Sequence, residues 1–101
     1  IFKYIKMVPG DKYKVELGKD KKYTVAIDGD VMENSKGEPY SFTERKSKMI
    51  KLYESNFKDG IKQGVYFVFG EGTAGGFDST RFGPVTSERM VGRVLTKPSA
   101  K

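Results

Sequence analysis

Ile1-Phe-Lys-Tyr-Ile-Lys-Met-Val-Pro-Gly-Asp11 opens the chain, and its reading sets the fold class. Ile1 to Val8 is rich in β-branched and aromatic residues, and Pro9-Gly10-Asp11 is a strong turn signal, so a strand is predicted that stops at Val8. Alternation along that strand puts Lys3 on the face of Ile1 and Ile5, with Phe2, Tyr4 and Lys6 opposite. A lysine on an apolar face either snorkels to water or is partly desolvated. Desolvation disfavours an ammonium, and a neutral amine can take a proton from a hydroxyl. Serine–lysine pairs work by this route without histidine, and the chain has no histidine. The competing reading is a solvated lysine on an edge strand.

Outward from this strand the pattern stays β-rich. Tyr13 to Leu17 alternates apolar and polar residues, Gly18 to Lys22 is a charged turn, and Tyr23 to Ile27 is its hairpin partner. Asp28-Gly29 is a further turn, with Val31-Met32 as a brief pairing segment after it. Residues 33–40 read as a loop. From Ser41 the period changes, and Phe42, Met49, Ile50, Tyr53 and Phe57 fall on one side of a helix near 41–58. Ser41 and Glu44 have capping-box spacing, with Thr43 as the other candidate cap. Val65 to Phe69 is the most apolar run and predicts a buried central strand, after which Gly70 to Gly76 is too glycine-rich for regular structure. Val85 and Val91 to Leu95 supply the last strands. Residues 1–96 therefore predict a single β-rich domain, and 97–101 a flexible tail.

Composition narrows the chemistry more than the partner. The chain has 101 residues, 37% hydrophobic, which suffices for one modest core. A net charge of +6 fits nucleic acid, an anionic membrane surface or an acidic partner equally well. Without cysteine or histidine there is no disulfide, no thiolate and no histidine base, leaving Lys, Asp, Glu and Tyr for acid–base work. No apolar run approaches the roughly 18 residues needed to span a bilayer.

A second informative stretch runs from Gly64-Val-Tyr-Phe-Val-Phe-Gly70 through Glu71-Gly72 to Gly75-Gly-Phe-Asp-Ser-Thr-Arg-Phe-Gly-Pro-Val85, with Val91-Gly92-Arg93 beyond it. With Lys3 and its Pro9-Gly10-Asp11 turn, in this order, it resembles two boxes of the type I signal peptidases, membrane-bound serine proteases that use lysine as base. The drift within the boxes resembles divergent members such as the pilin-maturing peptidases of conjugative plasmids. Gly70-Glu71-Gly72 stands where the family has Gly-Asp-Asn. Thr80 stands where an arginine usually follows Asp-Ser, with Arg81 adjacent. Gly76 occupies the place of a serine that, in better-known members, hydrogen-bonds the base lysine. The family's Ser-Met-x-Pro box does not occur in the chain.

The resemblance implies a signal-peptidase-like fold of twisted antiparallel sheets, a partial barrel, with one short helix. It implies that Lys3 is the general base for a serine contributed from before Ile1, so that the chain alone is inactive. Pro9, Gly10, Asp11, Gly75, Gly76, Asp78 and Arg81 become supports of the site, with an Asp78–Arg81 pair tying the glycine-rich loop under the base. Ile1 and Ile5 become candidates for lining substrate pockets. The implied partner is a signal peptide or pro-pilin bound as an added strand. The implied setting is the inner or plasma membrane, reached through an upstream anchor, with the domain on the extracytoplasmic side. No metal, cofactor or nucleic acid is expected.

Other readings remain at this point. A small basic β-barrel could stack bases on Tyr4, Tyr13, Tyr23 or Phe67 while Lys12, Lys14, Lys19, Lys21 and Lys22 track phosphates. The same lysines fit a solvated hairpin or a face near anionic lipid. An inactive peptidase-like binding domain and a self-cleaving repressor-type domain are further alternatives. Gly70 to Gly76 lacks the Gly-Lys-Ser/Thr ending of a phosphate loop, and Asp28, Asp30 and Glu33 do not fit a calcium loop.

Overall fold

The structure, a computed structural model, describes residues 3–76 and 78–87, and residues 94–95 as backbone. The first strand, β1 (Lys3–Met7), ends as the turn residues require. Gly10 has φ of 93°, and the Asp11 carboxylate accepts from the Val8 N–H at 2.9 Å. The Gly10 N–H then donates to the Ile61 carbonyl at 2.8 Å, and the Ile61 N–H to the Asp11 carbonyl at 2.9 Å. The turn is thus stapled to the segment leading into the central strand.

β2 (Tyr13–Leu17) and β3 (Tyr23–Ile27) form the expected hairpin, pairing from Tyr13↔Ile27 to Leu17↔Tyr23. Asp28 and Gly29 both have positive φ, 51° and 93°, the combination a tight hairpin turn demands. They return the chain as β4 (Asp30–Val31) on the other side of β3. This sheet has the order β2-β3-β4. The second sheet is built on β5 (Val65–Phe69), flanked antiparallel by β1 and by β6 (Val85–Thr86). β7 (Val94–Leu95) adds to the free side of β1, giving the order β6-β5-β1-β7. The fold is mainly β, as the sequence predicts, and among the described residues the sheets do not close into a barrel. One strand departs from the antiparallel expectation, because β7 runs parallel to β1.

The helix is shorter than the 41–58 stretch. α1 spans Glu44–Glu54, followed by a 3₁₀ turn over Ser55–Phe57. Thr43 caps it, its hydroxyl accepting from the Lys46 N–H. Ser41 and Phe42 are unavailable to the helix because their backbones are engaged elsewhere. The Ser41 N–H donates to the Thr73 carbonyl, and Phe42 exchanges hydrogen bonds with Tyr23 at 2.7 and 2.8 Å. A second helical turn that the periodicity did not predict, α2 (Ser79–Phe82), follows the glycine-rich loop.

The core lies between the two sheets and α1. It contains Met7, Tyr13, Val25, Ile27, Met32, Tyr40, Phe42, Ile50, Phe57, Ile61, Phe67 and Phe69. Each large apolar side chain buried there contributes about 1.5–3 kcal/mol relative to exposure. Phe42 stacks on Phe69, and Phe57 and Tyr13 meet the Phe67 ring edge-on. The Tyr13 hydroxyl reaches the Ile50 carbonyl at 2.6 Å, satisfying its only strongly polar atom. Burial, reinforced by the Glu54 charge, raises its pKa well above the ordinary phenol value. Tyr13 and Phe67 therefore serve as core, which removes them as stacking platforms for bases.

Candidate active site

The pairing of β1 with β5 places the lysine. Tyr4 stands across from Phe69 and Ile5 from Val68, so Lys3, one step further, faces Gly70. Its Nζ lies 3.9 Å from the point a Gly70 Cβ would occupy. A Cβ at residue 70 would stand in ordinary contact with the amine, so the two groups are neighbours in space. Past Gly70 the chain turns over the amine as a glycine-rich wall. The result is a cleft of about 250 Å³ lined by Lys3, Gly70, Glu71, Gly72, Gly75, Gly76 and Asp78. The fold thus brings together Lys3, Gly75, Gly76 and Asp78, which are some 70 residues apart in sequence.

Asp78 is 1% exposed and aims its carboxylate into the protein. One oxygen caps α2, accepting from the Thr80 N–H at 3.0 Å and from the Thr80 hydroxyl. The other accepts from the Gly70 N–H at 3.3 Å. Ser79, fully buried, takes the Val68 N–H on its hydroxyl at 2.8 Å. Val68 and Gly70 lie beyond the Val65 and Tyr66 that pair with β6. Asp78 and Ser79 therefore supply acceptors where the strand partner has run out. A buried N–H left without one costs about 1–3 kcal/mol.

Arg81 meets Asp78 through the backbone, its N–H donating to the Asp78 carbonyl at 2.8 Å. Its side chain lines a different cleft, with Thr43, Arg45, Lys46 and Thr80. The loop is tied to the end of β5 by Asp78 accepting from the Gly70 N–H. Pro9, Gly10 and Asp11 lie at the far end of β1 from Lys3, where they fix the strand to Ile61. Ile5 is on the Lys3 face but is only 8% exposed, so it underlies the amine more than it offers an open pocket wall. Ile1 lies outside the described residues, as does the Val91-Gly92-Arg93 segment.

Sequence reasoning missed the groups that hold the wall from behind. The Tyr40 hydroxyl donates to the Gly70 carbonyl. Burial, with the Glu71, Asp78 and Tyr4 charges adding, raises that phenol's pKa far above its usual value, so it stays a donor. Asn34 donates from Nδ2 to the Glu71 carbonyl at 3.0 Å. Ser35 donates to the Glu71 carboxylate twice, from its N–H at 3.0 Å and from its hydroxyl. No spacing rule links Ser35 to Glu71, since the two meet only when the 33–40 loop folds back on itself through the Glu33↔Pro39 bridge.

A lysine on a strand, a glycine wall across from it and an aspartate clip beneath that wall reproduce in space the boxes read from the sequence. The family model described as "Signal peptidase, peptidase S26" matches residues 2–97. The chain belongs to this signal peptidase family. Among curated proteins and solved structures, none matches it significantly. Membership makes this a peptidase-type domain, hydrolytic by class, from a family that is associated with membranes in general. Among the described residues no helix is long and apolar enough to cross a membrane.

Within this peptidase fold the cleft offers an amine and a backbone-lined wall, and among the described residues its lining includes no hydroxyl group. Ser79 cannot serve as nucleophile, since it is fully buried and its oxygen is held by Val68. Gly76, where the resemblance places a lysine-bonding serine, has nothing within 4 Å of a built Cβ among the described residues.

Proposed function

We propose that this domain cleaves signal or pro-peptides of exported proteins, pilin-type precursors among them, with Lys3 as the general base. The observation that carries the reading is the placement of the Lys3 amine in the glycine-walled cleft with Asp78 beneath it. Lys3 takes the proton of a serine contributed from outside residues 1–101 and returns it to the leaving amine. Gly70, Gly72, Gly75 and Gly76 let a substrate backbone approach the amine closely, as an extended strand that gains main-chain hydrogen bonds. Asp78 positions the wall and takes no part in proton transfer. The work is done at the extracytoplasmic face of the membrane, to which the protein is anchored by a segment outside the described residues.

The nucleic-acid alternative is weakened by the burial of Tyr13 and Phe67 in the core. Tyr23 is half-buried beneath the Lys51 ammonium, which lies 4.2 Å from the ring centroid. A cation already occupies the face on which a base would stack.

The deciding experiment replaces Lys3 by alanine and by arginine in the full-length protein and follows cleavage of a precursor peptide. Both variants should keep the thermal unfolding profile and lose at least about a hundredfold in rate, as expected for removal of a general base. Arginine keeps a long basic side chain but stays protonated and cannot act as a base near neutral pH. Cleavage by either variant at the parent rate would end the proposal.

A further inference from the structure

The wall opposite Lys3 is held by a segment that contributes nothing to the lining of the cleft. Tyr40 bonds the Gly70 carbonyl, Asn34 the Glu71 carbonyl, Ser35 the Glu71 carboxylate and Ser41 the Thr73 carbonyl. Residues 34–41 thus grip the wall along its outer side, while Asp78 grips Gly70 from the other end. A run containing Gly70, Gly72, Gly75 and Gly76 has a high conformational entropy of its own and does not stay in one place unaided.

We propose that Ser35 and Glu71 are positioning residues of the peptidase site: their paired hydrogen bonds latch the glycine wall to the 34–41 segment at a fixed distance from the Lys3 amine. The inference rests on the reading of Lys3 as base. Glu71 is the only wall residue in 70–76 with an ionisable side chain, and it turns that side chain back to Ser35. The latch itself is organised on the other side by Asn34. Its side-chain oxygen accepts from the Lys36 and Glu38 N–H groups, both at 2.9 Å, and its Nδ2 donates to Glu38 Oε1 at 2.8 Å. Ser35 is therefore presented from a closed turn and needs little ordering to meet Glu71. The Ser35 hydroxyl, then its N–H, then the Lys36 and Lys6 charges hold the Glu71 carboxyl below its ordinary range, as expected of a carboxylate engaged by donors.

Positioning predicts a specific kinetic signature. If the latch sets the geometry between the amine and the bound peptide, loosening it lowers kcat more than it raises KM. A displacement near 1 Å can cost up to about a hundredfold in rate.

The test uses Ser35→Ala, Ser35→Thr and Glu71→Ala in the full-length protein, with two readouts. Amide exchange at Ser35, Ser41 and Gly75 should quicken about tenfold or more in Ser35→Ala and Glu71→Ala, with Phe67 and Val25 unchanged. Peptide cleavage should show kcat lowered about tenfold or more at nearly constant KM, and Ser35→Thr, which keeps both donors, should restore both readouts. Unchanged exchange across 70–76 would overturn the latch. Quickened exchange with an unchanged kcat would overturn its positioning role. Should Lys3→Ala retain cleavage, the base assignment falls on that result alone, while the exchange readout still judges the latch.

Discussion

Adjacent glycines in the wall should respond oppositely to the same substitution. Gly75 has φ of +91°, and a Cβ built on it lies 3.0 Å from Thr80 Oγ1, 3.4 Å from Thr80 Cγ2 and 3.5 Å from Phe42 Cδ1. The left-handed backbone costs an alanine about 1–2 kcal/mol. Thr80 cannot swing aside cheaply, since it is 5% exposed and its hydroxyl is committed to Asp78. Phe42 is fully buried and stacked on Phe69. Overpacking at such a site adds about 1–3 kcal/mol. The restriction of the unfolded chain by a Gly→Ala change returns about 0.4–1 kcal/mol. Gly75→Ala should therefore destabilise the domain by about 1–5 kcal/mol.

Gly76 is the internal control. It has no left-handed φ, and among the described residues nothing lies within 4 Å of its built Cβ. Gly76→Ala should be neutral or stabilising by up to about 1 kcal/mol, and Gly76→Ser should fold as well. Urea unfolding of the variants side by side decides the matter. With a slope of about 2 kcal/mol per molar, the Gly75→Ala midpoint should drop by about 0.5–2.5 M while the Gly76 midpoints hold. Equal midpoints for the two alanine variants would refute the geometry of the wall, and with it the account of why the cleft is built from glycine.

Two further outcomes follow from the same contacts. Ser79→Ala should cost about 1–3 kcal/mol in unfolding experiments, because the buried Val68 N–H loses its acceptor; a loss under about 0.5 kcal/mol would mean that this N–H is satisfied in another way. Glu71 titrates below its ordinary value of 4.5, so its bonds to Ser35 stabilise the fold fully above that pH and are lost as pH falls through the depressed folded value. An NMR titration of the Glu71 carboxyl should show a midpoint below 4.5, and Ser35→Ala should move it up; a midpoint at or above 4.5 in the parent would contradict the latch.

The relation of sequence to structure differs from element to element. β1, the β2–β3 hairpin and β5 were legible because period-two alternation and turn residues are local properties of the chain. The Pro9-Gly10-Asp11 stop was legible for the same reason, but its attachment to Ile61 was not. The sequence left the start of α1 open between Ser41 and Thr43, and the structure selects Thr43 because the Ser41 and Phe42 backbones bond Thr73 and Tyr23. α2 was missed because a four-residue helix carries no periodicity, although Asp78-Ser79-Thr80 holds the cap that makes it.

The candidate site divides in the same way. Lys3, Gly75, Gly76 and Asp78 could be named from residue type, order and family resemblance, and the fold places them around one cleft. The Gly70 and Thr80 donors to Asp78 were not legible, since a buried carboxylate takes donors that the packing presents. Ser35 and Glu71 lay beyond any pattern, because hydrogen bonds between loops leave no period in the chain.

By itself, then, the sequence determined the β-rich class, the family and the identity of the candidate base, since these rest on local alternation, turn chemistry and residue order. Only the tertiary structure decided what stands across from Lys3, which acceptors close the edge of β5 and which loop holds the glycine wall. Those outcomes depend on strand register and on the direction of buried donors and acceptors, which are fixed when the two sheets pack around the aromatic core.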